Sequence, residues 1–397
     1  MNIIKQIRRD FSLSAFAAGF IVVLVGITSS ALLVFLSAKS FGVDSIGASS
    51  WLGSLCFSMG LLSIVLSLKF KTPILIAWST PAAAILAAGV GQTTLAEGIG
   101  AFLFSATLIF LSGITGFFEK MMDKIPLSLA SALLAGVLIH FCIDAFSAFK
   151  VQPLLIGIMV CSYVIAKRFF SRYAMLAVLL SGLIISFFTN LLHFETVQLS
   201  LTKLHYVSPI FSLHAMLGLG LPIFIVTMTA QNIPGFTIFK SNGYKTSISP
   251  ILIATGIGNF LIAPFGGFTL NLAAITAAIG MGPEAQENPN KRYIVGLVAG
   301  TLYLILGIFA GTVTSLFEAF PKELISGLVG IALLSTTANC LYHAVFHHHE
   351  REAAFLTFVI TASGISLFGI ASPFWGILVG SALMFLFSKK SFFSKIN

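Results

Sequence analysis

Long apolar runs, broken at short intervals by charge or by proline and glycine, dominate the pattern along the chain. They predict fourteen segments. The first half holds 13–37, 49–68, 73–91, 95–118, 127–147, 152–166 and 173–193. The second half holds 213–239, 248–263, 265–281, 293–317, 323–343, 353–369 and 371–388. Most carry the roughly 20 apolar residues that a helix needs to cross a bilayer. The segment 152–166 is short, and 248–263 with 265–281 can be misread as one long span. The first run is too long for a signal-peptide core and lacks a clear cleavage site, so it reads as a retained span.

Four of these runs are interrupted by polar residues or helix breakers. The first carries GITSSALL (26–33) and the eighth carries TMTAQNIPGF (227–236). The third carries TPILIAWSTPAAAIL (72–86) and the tenth APFGGFTLNLAAIT (263–276). In lipid every backbone polar group needs a partner inside the protein, so a break at depth implies surrounding protein or a water-filled cavity. Pro234 and Gly235 are therefore expected to end or bend the eighth helix, turning Gln231 and Asn232 toward a solute. The third and tenth segments are expected to pair a short extended stretch with a half-helix, with Pro81 and Gly266-Gly267 freeing the backbone. A half-helix start exposes unpaired N–H groups and the positive end of the helix dipole. Two such starts meeting at the midplane make an anion-friendly pocket.

Fourteen segments divide as seven plus seven, and an odd number per half makes the second half enter from the opposite side. The expected fold is an all-α membrane protein with two inverted seven-helix repeats, 1–200 and 201–397, and a site between its broken helices. Charge supports this count. With both termini inside, eighteen of the 22 Lys and Arg residues fall in inner regions. Only Lys39, Lys150, Lys203 and Lys322 fall outside, the bias that cytoplasmic loops show.

Composition agrees: 57% of residues are hydrophobic and 9% charged, with a mean hydropathy of +1.02. Soluble domains carry roughly 25% charged residues. The net charge of +9 follows from topology, and nothing calls for a nucleic-acid partner. Cys56, Cys142, Cys161 and Cys340 are scattered as small hydrophobes and imply neither disulfide nor metal. No H-E-x-x-H, G-x-S-x-G or paired intramembrane Asp is present, so an enzyme is not expected, nor any cofactor.

All 13 acidic residues fall in loops or near segment ends. A site without its own buried carboxylate suits a substrate that brings the negative charge. Candidate contacts are Thr28, Ser29 and Ser30 in the first segment, Trp78 and Thr80 in the third, and Gln231 and Asn232 in the eighth. The tenth adds the backbone amides of Gly266, Gly267 and Phe268, the rings of Phe265 and Phe268, and Asn271. Each has a plainer reading. Thr and Ser bond their own carbonyls four residues back. Gln and Asn bond neighbouring helices, Asn271 caps a helix, glycines allow close packing, and rings fill a core. His140 and Asp144 share a helix face and read either as a proton relay or, preferably, as a solvated pair. HAVFHHHERE (343–352) lacks defined zinc spacing and reads as loop. Lys240, Lys291 and Arg292 read as topology markers.

The stretches AWSTP (77–81), AQNIPG (230–235), APFGG with NLAAITAAI (263–267, 271–279), KRY (291–293) and PFWG (373–376) together resemble the BenE family over about residues 10–388. Those are bacterial inner-membrane benzoate:proton symporters. The resemblance implies the seven-plus-seven fold of the uracil permease and the sulfate-type anion transporters. It places the first, third, eighth and tenth helices around the substrate. It assigns segments 1–4 and 8–11 to a core domain and 5–7 and 12–14 to a gate domain. The chain departs from the family pattern at Ala230, often Ser, and at Pro81-Ala-Ala, where Pro-Gly-Ala is common. The expected activity is uptake of benzoate or a similar aromatic carboxylate with a proton, by alternating access. The proton travels on the substrate, through a His or by water. Alternatives are another small anion, exchange, or a channel. Expected partners are the anion, the proton, membrane lipid and a second copy of the chain.

Overall fold

The computed structural model describes residues 3–116, 127–192, 195, 197–282, 285–365, 367 and 370–393. The expected positions of Lys120, Lys124 and Lys395, and of the acids Glu119, Asp123 and Glu284, lie outside the described residues.

The chain opens with α1 (Ile3–Asp10), then α2 (Leu13–Ser40) and α3 (Ser45–Phe70). Strand β1 (Ile76–Trp78) runs into the short helix α4 (Thr80–Ala87). Next come α5 (Leu95–Thr115), α6 (Leu127–Ser147), α7 (Pro153–Phe169) and α8 (Ala174–Phe188). After an extended stretch, α9 (Leu213–Lys240) and α10 (Ser249–Ile262) follow. Strand β2 (Leu270–Leu272) leads into α11 (Ile275–Met281). The chain continues with α12 (Tyr293–Ile308), α13 (Ala310–Glu318), α14 (Lys322–Phe346), α15 (Arg351–Ala362) and α16 (Ser372–Phe393). Among the described residues, seven helical stretches are long and apolar enough to cross a membrane.

One packing group joins α2 with α4 and α12, α3 with α12, and α5 with α10. The other joins α6 with α14 and α15, α7 with α8, and α15 with α16. Two of the long helices start on side-chain caps. Asp44 accepts the Gly47 N–H ahead of α3, and Thr94 and Glu97 form a capping box ahead of α5. Such caps are worth about 1 kcal/mol each.

The eighth segment departs from expectation. Pro234 and Gly235 do not end the helix: residues 213–240 stay helical throughout. Two wide π turns, Met216–Gly220 and Met228–Asn232, absorb Pro222 and Pro234 instead. A proline lacks an N–H and clashes with the carbonyl four residues back. For Pro222 and Pro234 that carbonyl belongs to Gly218 and Ala230, inside each π turn, where the register is widened. The eleventh segment is also two helices, α12 and α13, meeting at Phe309.

The two strands pair antiparallel, Ile76 with Leu272, Ala77 with Asn271 and Trp78 with Leu270. Backbone bonds Ala273 N–H to Leu75 O (2.8 Å) and Ser79 N–H to Thr269 O (3.0 Å) extend the ladder. A two-stranded ribbon has two open edges, and unpaired backbone groups are costly away from water. Side chains close them. Ser63 Oγ accepts the Ile76 N–H (2.9 Å), while Ser67 accepts from Ile74 N–H and donates to Ile74 O. On the other edge Asn232 Oδ1 accepts the Leu272 N–H (3.0 Å) and Asn259 Oδ1 the Leu270 N–H (2.7 Å).

Candidate functional site

The ribbon and the two short helices that leave it are the centre of the candidate site. Helix α9 touches both units. Thr227 donates to Ser79 Oγ (2.7 Å), and Ser79 caps α4 by accepting the Ala82 N–H (3.3 Å). One turn on, Asn232 holds β2. Gly235 lies where a Cβ would come within 2.9 Å of the Leu272 carbonyl oxygen and 2.8 Å of that of Ala273. The glycine after Pro234 is thus explained by close approach of helix to strand, not by a break.

Asn232 is fully buried, with Oδ1 on Leu272 and Nδ2 on Met228 Sδ (3.3 Å). It differs from the sequence expectation: its amide is committed to the strand and does not face a solute. Gln231 beside it is half-buried, and its side chain makes no hydrogen bond among the described residues. Thr80, the first residue of α4, is also half-buried.

In α2, Thr28 donates to Leu24 O (2.8 Å), Ser29 to Gly26 O (3.2 Å) and Ser30 to Gly26 O (3.1 Å). Thr28 and Ser29 remain half-buried. Ser30 is buried and accepts from Trp78 Nε1 (2.9 Å), so the indole is tied to α2. Asn271 sits at the middle of β2, opposite Ala77. It is fully buried; its Nδ2 donates to Leu272 O (2.9 Å), and its Oδ1 has no partner among the described residues. It does not cap α11, whose preceding residue Ala274 makes no side-chain cap.

The glycine pair is placed otherwise than expected. Gly266 has φ +90° and its N–H bonds Ala263 O (2.9 Å); Gly267 N–H bonds Ile262 O (3.0 Å). This is the C-terminal turn of α10, where a left-handed glycine closes the helix. Both amides are spent there, and α11 starts only after β2. A Cβ on Gly266 would fall within 2.0 Å of the Trp51 ring. Phe268 is fully buried in a cluster with Trp51 (6.3 Å) and Phe102 (6.2 Å), so its ring is core. Phe265 is half-buried against Tyr206 (6.0 Å), beside the 197–212 stretch. The structure therefore gathers Ser30, Trp78, Thr80, Gln231 and Asn271 near the ribbon and leaves residues 265–268 outside it.

Among the described residues, every Asp and Glu lies in a loop or in the first or last turn of a helix. His140 Nε2 bonds Ala362 O (2.6 Å), and no ion pair to Asp144 forms among the described residues. One cluster gathers around the buried Asp10 at the start of α12. Tyr293 OH donates to Asp10 Oδ2 (3.0 Å), Arg9 Nε reaches Asp10 Oδ1 (3.2 Å), and Lys291 Nζ stands 4.0 Å from it. Burial pushes the Asp10 carboxyl up, but the bonds from Tyr293 and Arg9 and the charges of Arg9 and Lys291 outweigh it. The net shift is below the ordinary carboxylate value.

Three residues that hold the framework of the candidate site escaped the sequence reading. Ser79 had a signal, since Ser directly before Thr-Pro is a helix-start pattern. Thr227 had none beyond its polarity. Arg292 read as a topology marker but is 6% exposed, with its guanidinium on backbone carbonyls.

Two strand–helix units paired through antiparallel strands, in a bundle with bilayer-length apolar helices, give a fold shared with solved anion transporters. The transmembrane domain of the cyanobacterial bicarbonate transporter BicA superposes with a TM-score of 0.61 at 12% identity, covering 94% of this chain and 98% of that one. Murine Solute Carrier 26 family member A9, an anion transporter solved in the inward-facing state, gives 0.60 at 14% identity, covering 97% and 69%. More particularly, the chain belongs to the BenE family, benzoate membrane transport proteins, whose model matches residues 9–386. The benzoate membrane transport protein of Acinetobacter baylyi is 36% identical over 388 residues, 98% of each chain. The inner membrane protein YdcO of Escherichia coli is 39% identical over 363 residues, 91% of this chain and 93% of that one.

Proposed function

We propose that the protein imports benzoate or a similar aromatic carboxylate together with a proton, by alternating access across a bacterial inner membrane. Membership of the benzoate transport family is the observation that carries this reading. The ribbon supports it, because among the described residues its polar lining holds no carboxylate of its own.

In this reading the substrate carboxylate meets Thr80 and Gln231, with Thr28, Ser29 and the starts of α4 and α11 around it. Trp78, held by Ser30, walls the ring. Asn232, Phe268 and the glycine pair act behind the site as supports. Fourteen spans form two inverted repeats, 1–200 and 201–397, with both termini cytoplasmic. Segments 1–4 and 8–11 form a core that moves against a gate of segments 5–7 and 12–14. With the acids at helix ends, the proton enters on the substrate or through water.

Uptake of labelled benzoate into proteoliposomes, with an inward proton gradient and with empty liposomes subtracted, tests this reading. Accumulation above equilibrium that collapses with a protonophore is expected. Saturable uptake indifferent to the gradient, or competed by bicarbonate in place of benzoate, moves the function to exchange or to another anion. The fold likeness to BicA and to member A9 of Solute Carrier 26 keeps that second reading in view.

A further inference from the structure

Helix α11 is only seven residues long, and its two ends are held differently. Its start is tied through β2 to the ribbon. At its finish the next residue, Gly282, is extended (φ −75°, ψ 162°), so no further turn covers the last carbonyls. The final four carbonyls of a helix lack partners within it, and they carry the negative end of its dipole. A charged side chain fills this gap. Arg292 Nη1 donates to Met281 O (2.6 Å), Nε to Gln286 O (2.6 Å) and Nη2 to Glu287 O (3.4 Å). None of the ion pairs among the described residues includes Arg292. Its charge is therefore spent on backbone carbonyls, in a site where a buried cation is costly unless well bonded.

Arg292 is itself fixed. It directly precedes α12, whose first residue Tyr293 is fully buried and bonded to Asp10. α12 in turn packs along α2 and α3. The matching helix α4 has no such device: it finishes on backbone bonds, followed by Gly89 and Gly91 with positive φ.

We propose that Arg292 is a positioning residue for the transported anion: it clamps the far end of α11 to α12 and so fixes β2 and Asn271 at the site. This rests on the transport reading above. At 1.5 Å per residue α11 is a rod of roughly 10 Å, so displacement of one end moves the other.

Arg292→Gln removes the charge, Arg292→Lys keeps a charge without the fork, and Lys245→Gln removes an exposed charge outside this cluster as a control. In proteoliposome benzoate uptake, normalised to folded protein, R292Q is expected to raise KM roughly tenfold, the scale of a charged hydrogen bond, with Vmax within about twofold. R292K is expected to recover part of that loss, and K245Q to match wild type. Hydrogen exchange, without substrate, is expected to quicken in α11 of R292Q and not in α4. An unchanged KM in R292Q, or exchange that rises equally in α4 and α11, overturns the proposal. If R292Q does not fold, R292K carries both measurements, and wild-type KM and exchange in R292K overturn it. If wild-type protein takes up no benzoate, the transport reading fails, while the exchange comparison still decides whether Arg292 holds α11.

Discussion

At β1 and the residues just before it, the outward backbone groups of Ile76 and Ile74 are met by hydroxyls, from Ser63 and Ser67 of α3. On β2 they are met by amides, from Asn232 of α9 and Asn259 of α10. The helices that follow differ in the same way. α4 starts on a Ser79 cap and finishes in a glycine turn, whereas α11 starts without a side-chain cap and finishes on Arg292. Two units of one plan thus meet one constraint, closing backbone groups away from water, by different chemistry. The outer edge of β1 is held from nearby in sequence, Ser63 lying 13 residues from Ile76. On β2 Asn259 is as near, 11 residues from Leu270, but Asn232 lies 40 residues from Leu272, which makes that edge the more sensitive to distant substitution.

That difference can be broken at graded cost. Gly266→Ala should be the most damaging change, because φ +90° is strained for alanine and the added methyl meets the Trp51 ring. More than about 3 kcal/mol of stability should be lost, read as a large fall in melting temperature in detergent. Asn232→Leu leaves the Leu272 N–H buried and unpaired, which costs about 1–3 kcal/mol. Its counterpart Ser63→Ala on β1 should cost about as much by the same melting assay. If the second unit is the sensitive one, benzoate affinity should fall further in N232L than in S63A. Ser79→Ala removes one cap and the Thr227 acceptor, for about 1 kcal/mol, and should speed hydrogen exchange at the start of α4 while sparing α11.

The smallest effect concerns α1. Because the folded Asp10 sits below its ordinary carboxylate value, its contribution is present above that ordinary value. It is lost as pH falls through the lowered folded value. Exchange in α1 should therefore rise only in that acid window, and Asp10→Asn should show the raised exchange at neutral pH.

The apolar runs were legible because lipid demands long helices, and the predicted segments 127–147 and 323–343 differ little from α6 (Leu127–Ser147) and α14 (Lys322–Phe346). The extended stretches at the third and tenth segments were legible because Pro81 and the glycine pair stand out among alanines. Partners were not legible. Sequence marks Asn232, Pro234 and Gly235 as unusual but does not say what they touch. A strand 40 residues away explains two of them, and a π turn explains the third. Gly266-Gly267 was expected to free its backbone amides for an anion, because glycine marks a break without saying which helix end it serves. The positive φ makes it a finish. Arg292 looked like a topology charge because burial is invisible in a count of basic residues.

Gln231 stands at the centre of the transport account, half-buried and with its side-chain amide unspent among the described residues. The most direct test is benzoate KM and Vmax for wild type and Gln231→Leu in matched proteoliposomes, with melting temperatures recorded alongside. The account predicts a KM raised by roughly tenfold or more in a variant that melts like wild type, since a lost hydrogen bond to a charged group is worth about 1.5–3 kcal/mol. An unchanged KM would contradict it and place the anion elsewhere in the fold.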